Sequence, residues 1–177
     1  DLAPGQGTLF ELAPSSIGAL SVITRGVRRD DRVGSGVAFA ARAALTHFRG
    51  DVQGWLALDR QIGDEVVRRT RTERPPFVFA AFTGIDKSSH AAGYESTVVR
   101  GAMRSVKDVA ARLRSDAERG VYWESTHLWI VSDHGHSPVR QHDDLAGALT
   151  MAGYRVLVHP WAMARRPDVA LMVSGNA

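Results

Sequence analysis

THLWIVSDHGHSPVR, residues 126–140, holds the contrast on which the reading of this chain turns. A strongly apolar run, Leu128 to Val131, stops at Ser132-Asp133-His134-Gly135-His136. Strands commonly end on Gly, Asn, Asp or Ser, because these residues tolerate turn geometry. Asp-Gly alone would therefore be ordinary; a carboxylate and two imidazoles around a glycine are not. Working outward, four other short apolar runs resemble it: residues 19–24, 77–82, 154–159 and 169–173. All are rich in β-branched or aromatic residues, and most lack clean alternation, as expected of parallel strands covered on both faces.

Between these runs lie helical patterns. Residues 93–119 are the clearest, with Val99, Met103, Val106, Ala110, Leu113 and Ala117 recurring at spacings of three and four, and Arg100, Arg104, Lys107 and Arg114 falling elsewhere. Residues 37–48, 52–70 and 143–152 are also predicted helical, although Gly63 weakens the second. Gly153 suits the C-terminal cap of the last, and the two prolines of RTERPP, residues 71–76, end a helix ahead of a strand. Helices alternating with strands predict an α/β fold, a mainly parallel sheet sandwiched between helices. In such sheets chemistry gathers just beyond the C-terminal ends of the strands.

Composition narrows the function. The chain of 177 residues suffices for one domain with a core, and its 44% hydrophobic and 23% charged content is ordinary for a globular protein. A net charge of +3, with no arginine-rich arm and no aromatic interleaving, argues against binding a nucleic acid duplex. No apolar run approaches the length of a membrane helix. The absence of cysteine excludes disulfides and thiolate metal sites. The opening at Asp1 and the closing ALMVSGNA predict that residues 1–177 are the central part of a single domain, cut at both ends.

Two strand ends carry metal-ligand chemistry. In FVFAAFTGIDKSSHAAGYES, residues 77–96, the predicted strand runs into Thr83-Gly84-Ile85, then Asp86, then His90. The second strand end presents Asp133 and His134. Carboxylate oxygen and imidazole nitrogen are the donors that zinc and related ions take at about 2.0–2.2 Å. Each feature has a plainer reading: Asp86 with Ser88 and Ser89 as a helix cap, His90 as a loop histidine, Asp133-His134-Gly135 as a turn. Two β-α steps that each end in Asp and His favour a shared metal site.

At these residues the sequence resembles the alkaline phosphatase superfamily, most closely its type I phosphodiesterase and nucleotide pyrophosphatase branch. Asp86-Lys87-Ser88-Ser89-His90-Ala91-Ala92-Gly93 matches the Asp-x-x-x-His-x-x-Gly strand end of that branch, and Ser132-Asp133-His134-Gly135 matches its Ser-Asp-His-Gly strand end, in the same order. TLFELAPSSIGALSVITRG, residues 8–26, reads like the helix and strand that follow the nucleophile. The resemblance implies a metal-dependent hydrolase of a small-molecule phosphate ester, with two divalent ions, usually zinc. Asp86 and His90 would hold one ion, Asp133 and His134 the other. It also implies a covalent Thr or Ser intermediate, an upstream Asp ligand and a further downstream His. None of these can be placed here. Thr8 lies in the helix after the nucleophile region, and His159, in VLVHPW, lacks the glycine context of the downstream ligand. The nucleophile is therefore expected upstream of this chain, and the chain alone is expected to be inactive or nearly so.

Other residues stay open. His136 either supports Asp133 from behind, touches substrate, or is a loop residue. Lys87 either meets a phosphate oxygen or is solvated. His142, Asp143 and Asp144 suit the opening of the next helix. A single-metal hydrolase built on His134-x-His136, with His142 or Asp143 nearby, is an alternative, though it leaves Asp86 and His90 unexplained. A non-catalytic degenerate homologue is another. Phosphate monoesters, diesters, phosphonates and sulfates are not distinguished.

Overall fold

A computed structural model describes residues 7–20, 26–138, 141, 143–158 and 166–171. The chain divides into two compact units, Asp1–His136 and Ser137–Ala177.

The first unit opens with a short helix, α1 (Leu9–Leu12), held by a reciprocal cap. The Glu11 N–H donates to Thr8 Oγ1 at 3.3 Å, while Glu11 Oε2 accepts from the Thr8 N–H at 2.6 Å. Three parallel strands follow, β1 (Ile17–Ala19), β2 (Arg32–Val33) and β3 (Val78–Ala80), in the order β2-β1-β3. The central strand β1 is buried along its length, with Gly18 opposite Arg32 and Phe79. Ile17, Ala19 and Val33 form the core with Ile62 and Val66, and Phe39, Val78 and Phe82 pack around them.

Helices α2 (Val37–Phe48), α3 (Val52–Glu73), α4 (Gly84–Ala92) and α5 (Thr97–Arg119) complete the unit. α3 starts where the Asp51 carboxylate accepts from the Gly54 N–H at 2.9 Å. It runs three residues past the predicted end, to a left-handed Arg74 ahead of the two prolines. Its buried stripe, Leu58, Ile62, Val66 with Gly63 and Val67, recurs every four residues and covers the sheet. Gly63, which weakened the helix prediction, faces α5. A Cβ there would lie 2.5 Å from Val109 Cγ2. α5 buries Val99, Ala102, Val109 and Ala117, whereas Met103, predicted inward, is exposed.

Two boundaries differ from expectation for local reasons. The helix predicted to begin at residue 93 begins at Thr97, because Gly93 terminates α4 at φ 78° and Ser96 caps α5 through the Val99 N–H. The strand predicted over 19–24 lies earlier, at Ile17–Ala19; Leu20 turns to φ 73°, and residues 21–25 lie outside the described residues.

The strand predicted over 126–132 is a correction. The segment is not paired into a sheet among the described residues, and Trp129, Ile130 and Val131 are 81%, 66% and 78% exposed. An apolar, β-branched composition favours a strand only where neighbouring strands accept its hydrogen bonds and layers cover its faces.

In the second unit, α6 (Leu145–Met151) precedes the parallel pair β4 (Val156–Val158) and β5 (Val169–Leu171), inside the predicted runs. Asp144 caps α6 by accepting from the Gly147 N–H at 2.8 Å, and Gly153 follows it at φ 90°. Arg155 grips Asp168 with two guanidinium bonds of 3.0 and 2.7 Å, which hold that carboxyl down at about 2. Among the described residues no helix is long and apolar enough to cross a membrane.

Candidate metal centre

The centre lies at the C-terminal end of β3, where α/β sheets place their chemistry. Three residues past the strand the chain enters α4, with Asp86 in its first turn and His90 in its last. The predicted loop is thus a helix. Residues four apart share a helix face, and His90 Nε2 lies 3.2 Å from Asp86 Oδ1.

The segment 132–136 supplies the rest. His134 Nε2 and His136 Nε2 lie 3.9 and 3.8 Å from that same Asp86 Oδ1. The His90 and His136 rings meet edge to face at 4.5 Å, and those of His134 and His136 are 6.0 Å apart. One donor atom from each of Asp86, His90 and His136 falls within 4.8 Å of the others.

His134 is oriented by its own neighbours. Its Nδ1 is 3.0 Å from the Gly135 carbonyl, so the neutral ring carries its proton there and leaves the Nε2 lone pair toward Asp86. The Gly135 carbonyl first, then the Asp133 and Asp86 charges, raise the His134 pKa above the usual imidazole value.

Asp133 sits differently. Its side chain is 90% exposed; one oxygen accepts the His134 N–H at 3.2 Å and the other lies 3.7 Å from His134 Nε2. His134 and His136 both reach toward Asp86, while most of the Asp133 side chain, at a bend in the backbone, faces water. His136, left open from sequence between supporting Asp133, touching substrate and sitting in a loop, faces Asp86 and His90.

The donor set suits a borderline ion: one carboxylate and two imidazoles close together, a third imidazole 3.9 Å from that carboxylate, and no thiolate in the chain. A tetrahedral zinc ion with bonds of about 2.0–2.1 Å holds its donors about 3.3 Å apart. The spacing found at Asp86, His90 and His136 is close to that and needs only side-chain adjustment. Lys87 Nζ lies 3.3 Å from the other Asp86 oxygen. Lys87 and His90 also line a groove of about 280 Å³ with His47, Val52, Trp55 and Ala91.

A residue that sequence reading passed over anchors this arrangement. Thr83, at the N-cap of α4, makes no side-chain cap bond. The cap comes instead from Asp59 on α3, whose two oxygens accept the Thr83 N–H at 3.1 Å and the Gly84 N–H at 2.7 Å. Asp59 is 5% exposed. Burial pushes its carboxyl up to about 6, against the pull of the two N–H groups. Gly84 permits the approach, since a Cβ there would stand 2.6 Å from Asp59 Oδ2 and 2.8 Å from Leu56 Cδ2. The available signal was a carboxylate inside the apolar stripe of α3, one residue after Leu58 and three before Ile62.

His142 and His159 lie outside the described residues. Asp143 belongs to the second unit, where its carboxylate accepts from Gln141 Nε2 at 3.2 Å. Thr8, left unassigned from sequence, serves as the cap of α1.

The family model for type I phosphodiesterase / nucleotide pyrophosphatase matches residues 23–174. No match was found among curated proteins or among solved structures.

Proposed function

The chain belongs to the type I phosphodiesterase/nucleotide pyrophosphatase family, hydrolases acting on phosphate esters, and on that premise we propose that it carries a two-ion metal centre for cleaving a small phosphate ester. Asp86, His90 and His136 hold one divalent ion, and Asp133 with His134 holds the second, zinc being the ion that the donor set fits best. The observation that supports a metal centre here is the convergence of His90, His134 and His136 on one oxygen of Asp86, and the Asp133 carboxylate 3.7 Å from His134 Nε2 supports a second ion beside it. When bound, the ions supply a clamp on the attacking and leaving oxygens of an in-line displacement at phosphorus.

The chain's own residues do the positioning. α4 keeps Asp86 and His90 at fixed separation on one face. The Gly135 carbonyl holds the His134 tautomer that presents Nε2. Lys87, beside Asp86 and on the wall of the groove, places a cationic charge where a phosphate oxygen would enter. The nucleophile of this reading is a Thr or Ser upstream of both motifs, forming a covalent phosphoryl-enzyme intermediate.

Zinc titration of the full chain by calorimetry tests the proposal. Two equivalents should bind, and Asp86→Asn should remove at least one of them. A chain that takes up no divalent ion sinks the reading. The single-ion alternative draws support from the similar reach of His134 and His136 to Asp86. It expects one equivalent in the parent and none in His136→Ala, where the two-ion reading leaves the second ion bound.

A further inference from the structure

We propose that Asp59 is the positioning residue of this metal centre. By accepting the Thr83 and Gly84 N–H groups together, it fixes the first turn of α4 and with it the aim of Asp86 and His90. The inference rests on the reading of those two residues as ligands. The first N–H groups of a helix have no partner within the helix. In α4 the residue placed to cap them, Thr83, offers no side-chain bond, and a carboxylate 24 and 25 positions earlier takes both instead.

Several features argue that this bond set is more than a filler for unpaired donors. The acceptor is a carboxylate whose two oxygens each hold one of two consecutive N–H groups, an arrangement that an amide, with one oxygen and one NH2, cannot reproduce. It comes from α3, whose stripe packs on the sheet and whose Gly63 face packs on α5, so α4 is tied to a helix that is itself held on two sides. The Thr83 and Gly84 N–H groups immediately precede Ile85 and Asp86, so release of either frees the turn that carries the shared carboxylate. Asp59 also sits in an apolar stripe at a cost to itself, and among the described residues its carboxylate accepts from these two N–H groups. Gly84 belongs to the same device, because only a residue without Cβ admits Asp59 so closely.

The test uses the full chain and Co2+ as the probe, titrated by visible absorption, beside metal-free thermal melts. Asp59→Asn should weaken Co2+ binding about tenfold, the range of partners that orient metal ligands. Its absorption band should keep the parent's position, because the ligand set is unchanged, and its metal-free midpoint should stay within a few degrees of the parent's. Gly84→Ala, which keeps the charge but displaces it, should weaken binding in the same way, and it decides the matter if Asp59→Asn does not fold. Parent-like Co2+ affinity in both variants overturns the positioning role while leaving the metal centre standing. A parent chain that binds no Co2+ overturns both.

Discussion

The two motif segments, 83–93 and 132–136, carry the same chemistry on unlike supports. Asp86 and His90 lie on a helix whose N-terminus is clamped by a buried carboxylate and whose C-terminus is closed by Gly93. Asp133, His134 and His136 lie on irregular chain, bent at Asp133, whose preceding apolar residues face water. The first segment has its geometry set from outside, by α3. The second is set by contacts inside it: the His134 ring on the Gly135 carbonyl, and Ser132 Oγ donating to the His134 carbonyl at 2.5 Å. A metal centre divided this way has one rigid half and one half that the ion itself must help to order. Binding then draws on the first half for affinity, and pays in ordering at the second.

The sharpest break in this comparison is between the two aspartates. Asp86→Asn removes the negative charge of the carboxylate on which three imidazoles converge, and zinc affinity by calorimetry should fall by more than about 100-fold, beyond the range of residues that merely orient ligands. Asp133→Asn removes an exposed carboxylate already turned to water, and its effect should stay near about tenfold. Equal losses at both positions would show that the two halves are built alike once metal is present.

Asp59 gives the next largest effect, read through pH. Its native carboxyl titrates near 6 against an ordinary 3.8, so the folded state takes up a proton that the unfolded state does not between those values. Stability from this group therefore is greatest below about 4 and is lost as pH rises through about 6, a change of about 3 kcal/mol at 1.36 kcal/mol per unit. Urea unfolding at several pH values, parent against Asp59→Asn, isolates it: the difference in stability should move in the variant's favour as pH climbs from 4 to 7. A flat difference would mean that the Asp59 charge is not buried in solution.

What could be read in advance divides along the same line. Most of the helices and strands, and the two motifs, follow from local pattern, because apolar periodicity and donor type are properties of neighbouring residues. Three things were not readable. The pairing of 126–132 depends on a neighbouring edge, which no property of Leu128–Val131 reports. The Asp59 clamp joins residues 24 and 25 positions apart. The side taken by Asp133 depends on the bend in the backbone there, which no repeating pattern in 132–136 reports.

Glycines sharpen the contrast further. Gly63→Ala must push Val109 aside from a 2.5 Å approach, whereas a Cβ on Gly135 meets nothing within 4 Å. The first substitution should cost about 1–3 kcal/mol in urea unfolding, as overpacked contacts do, and the second should stay within about 0.5 kcal/mol.

The smallest effect belongs to the apolar run that opened the sequence. Burying a side chain such as Ile or Val typically contributes about 1.5–3 kcal/mol, but only for surface removed from water. Ile130 and Val131 keep 66% and 78% of theirs exposed. Replacing both with Thr should therefore change unfolding stability by no more than about 0.5 kcal/mol, the range of surface substitutions. Their amides, unpaired into any described sheet, should exchange with solvent far faster than those of β1. A loss of several kcal/mol, or slow exchange across 128–131, would place this run against a partner surface in solution. The second half of the metal centre would then be as firmly supported as the first, and the Asp133 and Asp86 substitutions should converge in effect.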